Sequence, residues 1–442
     1  MYLQTDDQTI EDLRIFGKRN GSGVFDLYNK VHTRGGESLL KEMFRAPLSD
    51  QELINARSSI IRHFAGNKTP FPFSASIFDM AEKYLRSAGE TRMQGNDKAV
   101  LSEKEIANGV AGIIEMMQLC RAFIESETVK QVEAYRQERE SIAMILSDSV
   151  FDPVHKEILR TKLSYAAVAA YDVLFRVREQ AKVNRLMTHI YYLDVLLSVA
   201  AIANEKHFIF PKALEKEPAT LLLEGVYHPE LEAPVANELT LSNNRNFIFL
   251  TGANMAGKST FLRSVSVAMF LAHMGFPVAA KKMEFSVMDG IYTTINLPDN
   301  LGIGASHFYA EVLRVKQVAA ELGKGRSMFV VFDELFRGTN VKDAHEASVA
   351  VSLSFSKKKN SLFIISSHII EAGEELKQLN NIGFLFLPTR MNGSMPEYTY
   401  RIENGITDDR HGMIIIRNEG ILEILEKGKK HLLRDHSLAS GE

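Results

Sequence analysis

Eight consecutive residues restrict the fold of this chain more than any other stretch. Gly252-Ala253-Asn254-Met255-Ala256-Gly257-Lys258-Ser259 reads as a glycine, four residues, then Gly-Lys-Ser. That is the spacing of a phosphate-binding loop. Gly252 and Gly257 let the backbone turn so that its N–H groups point inward at phosphate oxygens. Lys258 has the reach for a β- or γ-phosphate, and Ser259 offers a hydroxyl to Mg²⁺. Such a loop must follow a strand and open a helix. Asn246 to Leu250 is a short apolar run, and Thr260-Phe261-Leu262-Arg263 begins a helical stretch whose N-terminal dipole favours an anion. The nucleotide-binding candidates are therefore Gly252, Asn254, Met255, Ala256, Gly257, Lys258, Ser259 and Thr260.

Two more apolar runs, Met328 to Phe332 and Leu362 to Ile365, lack alternation and read as strands buried on both faces of a parallel sheet. The first ends in Asp333-Glu334, and the second in Ser366-Ser367-His368. Beside a phosphate loop, Asp333 would hold Mg²⁺ through water or Ser259, and Glu334 would polarise an attacking water as general base. His368 would contact the γ-phosphate or that water and report nucleotide state.

The first half has a different texture. No proline falls between Pro72 and Pro153, or between Pro153 and Pro211, and both stretches are rich in good helix formers. Leu163, Ala167, Ala170, Leu174, Val177 and Ala181 recur at helical spacing, the stripe of a long packed helix. Ser102 with Glu105 spells a capping box, and Asp152-Pro153 suits an N-cap and first helical position. Two long helices, 102–147 and 153–205, are expected, then a change to alternating strands and helices near 211–224. The expected division is a helical domain, 1–215, and a phosphate-loop domain, 216–442.

With 442 residues, 45% of them apolar, the chain can build two or three cores, and wholesale disorder is excluded. A single cysteine, Cys120, excludes an intramolecular disulfide framework. No apolar run reaches the ~18 residues of a membrane span. Met1 to Asp7 has no basic region before an apolar stretch, so no signal peptide is expected and a cytoplasmic address follows. The net charge of −3 gives no argument for nucleic acid. Arg178, Lys182 and Arg185 fall on one helix face, a solvated stripe or a phosphate contact. Lys357-Lys358-Lys359 reads as a solvated loop, and Ile421 to Leu433 as a short amphipathic helix.

At these residues the sequence resembles the MutS family of DNA mismatch repair ATPases. The family's loop, Thr-Gly-Pro-Asn-Met-Gly-Gly-Lys-Ser-Thr, is matched by Thr251 to Thr260, including the Asn254-Met255 pair that a general phosphate loop does not require. Asp333-Glu334-Leu335-Phe336-Arg337-Gly338-Thr339 is similar to its Asp-Glu-Leu-Gly-Arg-Gly-Thr. His228-Pro229 resembles its entry to the ATPase domain, Gly304 to Phe308 with Glu311 its signature segment, and Gly405 through Gly412 its last Gly-rich segment. Thr33 to Gly36, Leu39-Leu40, Pro47-Leu48, Ile54 and Arg57 loosely match the opening of its helical core domain. Phe336, Ala253 and Ala256 depart from the pattern; Phe336 would alter a dimer contact or slow turnover.

The resemblance implies a multidomain α and α/β protein: an all-helical core and lever domain, then an ABC-type P-loop NTPase domain with a mostly parallel sheet. It implies ATP and Mg²⁺ as cofactors and a homodimer, or a dimer with a related subunit. Each composite site would take Ser306, and with it His307, from the partner. The C-terminal helix would pack on the partner subunit. It also implies DNA as a partner, other repair proteins, and no membrane. The family's mismatch-reading and connector domains are expected to be missing, and its clamp to be at most a few residues near Ser147 to Asp152. Phe123-Ile124-Glu125 matches the mismatch wedge in spelling only. The leading expectation is a DNA repair or recombination ATPase without its own mismatch reader. The alternatives are an ATP-driven switch acting on partner proteins and a nucleotide-binding scaffold with little turnover.

Overall fold

Short polar side chains at chain reversals start the helices of the N-terminal half. Thr33, Asp50, Ser102 and Ser164 each accept a backbone N–H from the first turn of the helix they precede. At Ser102 the capping box with Glu105 is complete. The computed structural model describes residues 1–18, 21–90, 101–158, 162–253, 255–295, 307–336, 338–392, 395–407, 420–421 and 424–425. They fall into two units. One comprises Met1–Tyr2, Arg14–Lys212 and Leu271–Ala279, and the other Leu3–Leu13, Ala213–Phe270 and Ala280–Glu442. The protein is thus a multidomain α and α/β chain.

The first unit is helical. Its spine is the 27-residue helix Gln180–Lys206, which packs against Arg34–Arg45 and Gln51–Gly66. This helix is long and apolar enough to cross a membrane, contrary to the reading that no such run exists, but most of that length is buried inside the fold. Leu186, Ile190, Leu193, Val195 and Leu196 are fully enclosed, each worth roughly 1.5–3 kcal/mol relative to exposure. Helix Ala75–Glu90 lies so close to Glu103–Glu125 that a Cβ on Gly109 would fall 2.4 Å from the Tyr84 side chain. Phe123, of the wedge-like spelling, is buried and faces Phe64 with ring centroids 6.4 Å apart.

The two expected long helices are broken. The span 102–147 holds Glu103–Glu125, a short turn Glu127–Lys130, a 3₁₀ turn Glu133–Tyr135 and Arg136–Leu146. Ser126 ends the first by donating its hydroxyl to the Phe123 carbonyl. The span 153–205 holds Asp152–Lys156, Tyr165–Val173, a π-helical turn Leu174–Arg178 and the spine helix. The Glu179 N–H reaches back five residues to the Leu174 carbonyl. That wider turn inserts one residue into the repeat and shifts the buried face. Leu174 is therefore buried, but Ala170 and Ala181 are exposed and Val177 is 65% exposed. The packed face runs instead through Tyr171, Phe175, Val183 and Leu186.

In the second unit, the central sheet has the order Glu403–Asn404, Ile382–Leu387, Phe247–Gly252, Leu362–Ser366, Met328–Phe332 and Gly290–Thr294. All neighbouring pairs are parallel except the first. The strands expected from unbroken apolar runs are buried on both faces. A separate antiparallel layer places Leu221–Val226 between Asn237–Leu241 and Lys282–Ser286. Leu3–Leu13 also belong to this unit, and Gln4 bridges in parallel to Gly290 at the sheet edge. No sequence signal marked that placement.

Asp194 of the spine helix is fully buried. It accepts the backbone N–H groups of His32 (3.0 Å) and Thr33 (2.8 Å), the Thr33 hydroxyl (2.8 Å) and the Ser198 hydroxyl (3.4 Å), and its carboxylate lies 2.9 Å from His32 Nδ1. It thereby orients Thr33, whose Oγ1 caps helix Arg34–Arg45 through Gly36 N–H (2.9 Å). Asp194→Ala leaves several buried donors without an acceptor and is expected to cost about 3 kcal/mol or more. A shift of the urea midpoint at unchanged slope measures this, and a loss under about 1 kcal/mol would contradict it.

Candidate functional site

The sheet register brings the sequence-predicted residues to one edge. Leu250 pairs with Ser366, so the strand ending in Gly252 and the strand leading to His368 finish level. Phe332 pairs with Ile365, which sets Asp333 and Glu334 beside the same point. The carboxyl end of an open parallel sheet is where α/β folds bind ligands.

The phosphate loop has the expected backbone. Gly252 and Gly257 adopt φ of +148° and +101°, and Met255 also lies in the left-handed region at +70° with its side chain in solvent. Any Cβ on Gly257 would meet the Tyr400 ring at 3.0 Å. Ala256 is buried, so a methyl fits where the resembled family carries glycine. Thr260 lies in the helix Lys258–His273 that the loop opens. Asn254 lies outside the described residues.

Lys258 is buried, and its ammonium donates to the carbonyls of Gly252 (2.9 Å) and Ala253 (3.1 Å). Burial pulls its pKa below the usual lysine value, and the charges of Glu334 and Asp333 act in the opposite direction. The Ser259 and Ser366 hydroxyls donate to the two carboxylate oxygens of Asp333, one each. Burial raises the Asp333 pKa above the usual carboxylate value, and these two hydrogen bonds oppose the rise. A cation at Ser259 and Asp333 would relieve that buried charge. One hydroxyl and one carboxylate, completed by phosphate oxygens and water, form a donor set suited to Mg²⁺. Among the described residues no cluster of three or more His, Cys, Asp or Glu could hold a metal unaided.

Glu334 has φ of +55° and its N–H donates to Ser366 Oγ at 3.0 Å. His368 Nε2 lies 2.5 Å from Glu334 Oε1. An open cavity of about 720 Å³ is lined by Lys258, Ser259, Thr260, Glu334 and His368, together with Tyr398 and Tyr400. A smaller recess of about 260 Å³ shares Gly257, Thr260 and Tyr400 and is walled by His228, Leu231, Val235 and Asn237. Asn237 fixes this wall by donating to the Tyr400 carbonyl (2.9 Å) and accepting the Ile402 N–H (2.8 Å).

Phe336 adopts φ of +65°, a conformation that glycine accommodates without strain. The resembled family's glycine at this position is thus a backbone requirement. Here the ring is buried, 5.8 Å from the Phe308 ring centroid, and belongs to the core between sheet and helices. The side chain that departs from the pattern faces inward.

Ser366, Asn237 and Tyr400 escaped the sequence reading. Ser366 was quoted only as a neighbour of His368, and its role emerges from the strand register. Ser306 and Arg337 lie outside the described residues, as do 408–412 and most of Ile421 to Leu433. Of the expected basic stripe, Lys182 and Arg185 share the spine helix, and Arg178 lies outside it. Arg178 ends the π-helical turn ahead of the spine helix, and Lys182 pairs with Asp148 (2.6 Å) and Glu179 (2.8 Å).

Two family models match this chain: MutS domain III over residues 8–200 and MutS domain V over residues 248–434. Curated relatives include the "DNA mismatch repair protein MutS" of Persephonella marina, 28% identical over 272 residues, covering 60% of this chain and 31% of the relative. The protein of the same description from Petrotoga mobilis is 29% identical over 326 residues, covering 70% and 36%. That of Streptococcus suis is 25% identical over 275 residues, covering 60% and 32%. The chain spans about a third of the length of these relatives.

Asp333→Asn removes a buried charge while keeping its shape. The nucleotide-free variant is expected to melt higher, by roughly 2–4 °C per kcal/mol of relieved desolvation. Calorimetry tests this; a lower melting temperature would show that the carboxylate stabilises the fold instead.

Proposed function

The chain belongs to the MutS family, and from that membership and the geometry at the sheet edge we propose that it is an ATPase. It binds ATP with Mg²⁺ and hydrolyses it to ADP and phosphate. The observation that carries this reading is the convergence of Lys258, Ser259, Glu334 and His368 on one cavity, with Asp333 accepting the Ser259 hydroxyl. The Lys258 ammonium donates to two loop carbonyls, and phosphate oxygens are a stronger partner for its charge. Gly252, Met255, Ala256 and Gly257 supply loop backbone, Thr260 follows on the helix, and Asn254 is assigned to the same nucleotide from the sequence. Ser259 and Asp333 would hold Mg²⁺, and the ion would supply positive charge to the phosphate oxygens. Glu334 takes a proton from the attacking water, and His368 orients Glu334. The recess beside His228 and Tyr400 receives the base.

The working unit is a dimer, with itself or a related subunit, in which Ser306 of each protomer completes the other's site. A helical core and lever domain, mostly within 1–215, and an ATPase domain, mostly within 216–442 but taking in Leu3–Leu13, divide the work. ATP joins the ATPase domains, and the helices carry that closure to DNA in repair or recombination, without mismatch reading by this chain. A second reading, a switch acting on partner proteins, is favoured by one observation: Lys182, the centre of the expected basic stripe, is already held by Asp148 and Glu179.

Turnover is measured with no DNA and with duplex, mismatched and four-way-junction DNA, at low and moderate salt. Glu334→Ala is expected to lower kcat by roughly 100-fold or more. Stimulation by duplex or junction without preference for a mismatch is expected. A flat response to every DNA, with turnover still dependent on Glu334, supports the protein-directed switch. Turnover that survives Glu334→Ala refutes the hydrolytic assignment.

A further inference from the structure

A six-residue helix is too short to persist on its own. Asp7–Asp12 nevertheless sits at the edge of the nucleotide-binding sheet, and polar bonds hold it there. Asp12 is buried and accepts the Thr293 hydroxyl (2.9 Å) and the Ile295 N–H (2.8 Å). Thr9 is fully buried, and its hydroxyl accepts the Thr293 N–H (3.1 Å). Asp6 caps this helix through Thr9 N–H (3.0 Å) and takes both terminal nitrogens of the buried Arg314. Arg314, on the helix His307–Gly323, also donates to the Thr293 carbonyl (2.8 Å) and the Thr294 hydroxyl (3.1 Å).

These bonds converge on two residues of the edge strand, Thr293 and Thr294. The Thr294 carbonyl in turn accepts the Asp333 N–H at 2.8 Å. From the other side, Arg263 of the phosphate-loop helix donates to the Asp12 carbonyl at 2.7 Å. One short helix therefore touches both arms of the site: the helix that follows Lys258 and the strand that holds the Asp333 backbone.

We propose that Asp6, Asp12 and Arg314 are positioning residues for hydrolysis, setting Asp333 and Glu334 against the phosphate loop through Thr293 and Thr294. This rests on the ATPase reading above. Sub-ångström placement of a reacting carboxylate matters far more to rate than to folding stability. A network that only tethered the N-terminus would change melting temperature and leave turnover alone.

The test uses the full chain with Arg314→Ala and Asp6→Ala, singly and together, and Arg314→Lys as the conservative variant. Four quantities are read: kcat, KM, affinity for a fluorescent ADP derivative, and hydrogen exchange in peptides covering 290–295 and 328–335. The expected result is a loss of about tenfold in kcat with nucleotide affinity within about twofold of the parent. The double variant is expected to match the singles, because the two residues act as one pair. Exchange is expected to rise in the peptide containing Asp333, and Arg314→Lys to recover part of the rate. Unchanged kcat and exchange in folded variants overturn the proposal. If the alanine variants do not fold, Asp6→Asn and Arg314→Lys are read in the same way. If the parent turns over no ATP, the ATPase reading fails, and the exchange at Asp333 still decides whether the network positions it.

Discussion

A carboxylate buried at the end of a parallel strand is the charge around which the second unit is arranged. Asp333 is partly buried at the strand end, and each of its oxygens accepts a serine hydroxyl, one from the phosphate-loop helix and one from the neighbouring strand. Burial of an ionised group is costly unless partners compensate it. Two hydroxyls compensate in part, and the remaining cost shows as the raised pKa. The vicinity is consequently receptive to cations. Lys258 is nearby but turned toward loop carbonyls, so the site is held apart from its own strongest internal pairing. Helix start and strand register both serve that arrangement, because moving either by one residue would leave one carboxylate oxygen without its donor.

The chemistry of this site was largely legible before any coordinates. Residue types that phosphate binding demands occur at fixed spacing in one loop, and an Asp-Glu pair after an apolar run has few other uses beside such a loop. Ser366 was not legible as a ligand of Asp333. A serine at a strand end is ordinary, and only the pairing of Leu250 with Ser366 and of Phe332 with Ile365 shows where its hydroxyl falls. The contribution of Asp6, Thr9 and Asp12 was hidden for a related reason. They lie 281 to 308 residues from their partners in sequence, and no local pattern encodes that distance.

Helix boundaries were the weakest part of the sequence reading. Composition correctly marked the first half as helical, but it could not locate breaks made by single hydrogen bonds. Ser126 bonds back to Phe123, and Glu179 bonds back to Leu174 across a turn that is one residue too wide. Neither involves proline or glycine, the residues on which boundary reading depends. The apolar spacing from Leu163 to Ala181 was real as a pattern, yet it spanned two helices with different phases.

That π-helical turn has a geometric meaning of its own. One residue in an α-helix corresponds to about 100° of rotation about its axis. An added residue at Leu174–Arg178 therefore rotates everything on one side of the turn by that angle relative to an unbroken rod. Tyr165–Val173 and Gln180–Lys206 can each present their best packing face without compromise, as two gears keyed a tooth apart on one shaft. Deleting a single residue there would leave a smoother helix whose two ends disagree about which way is inward.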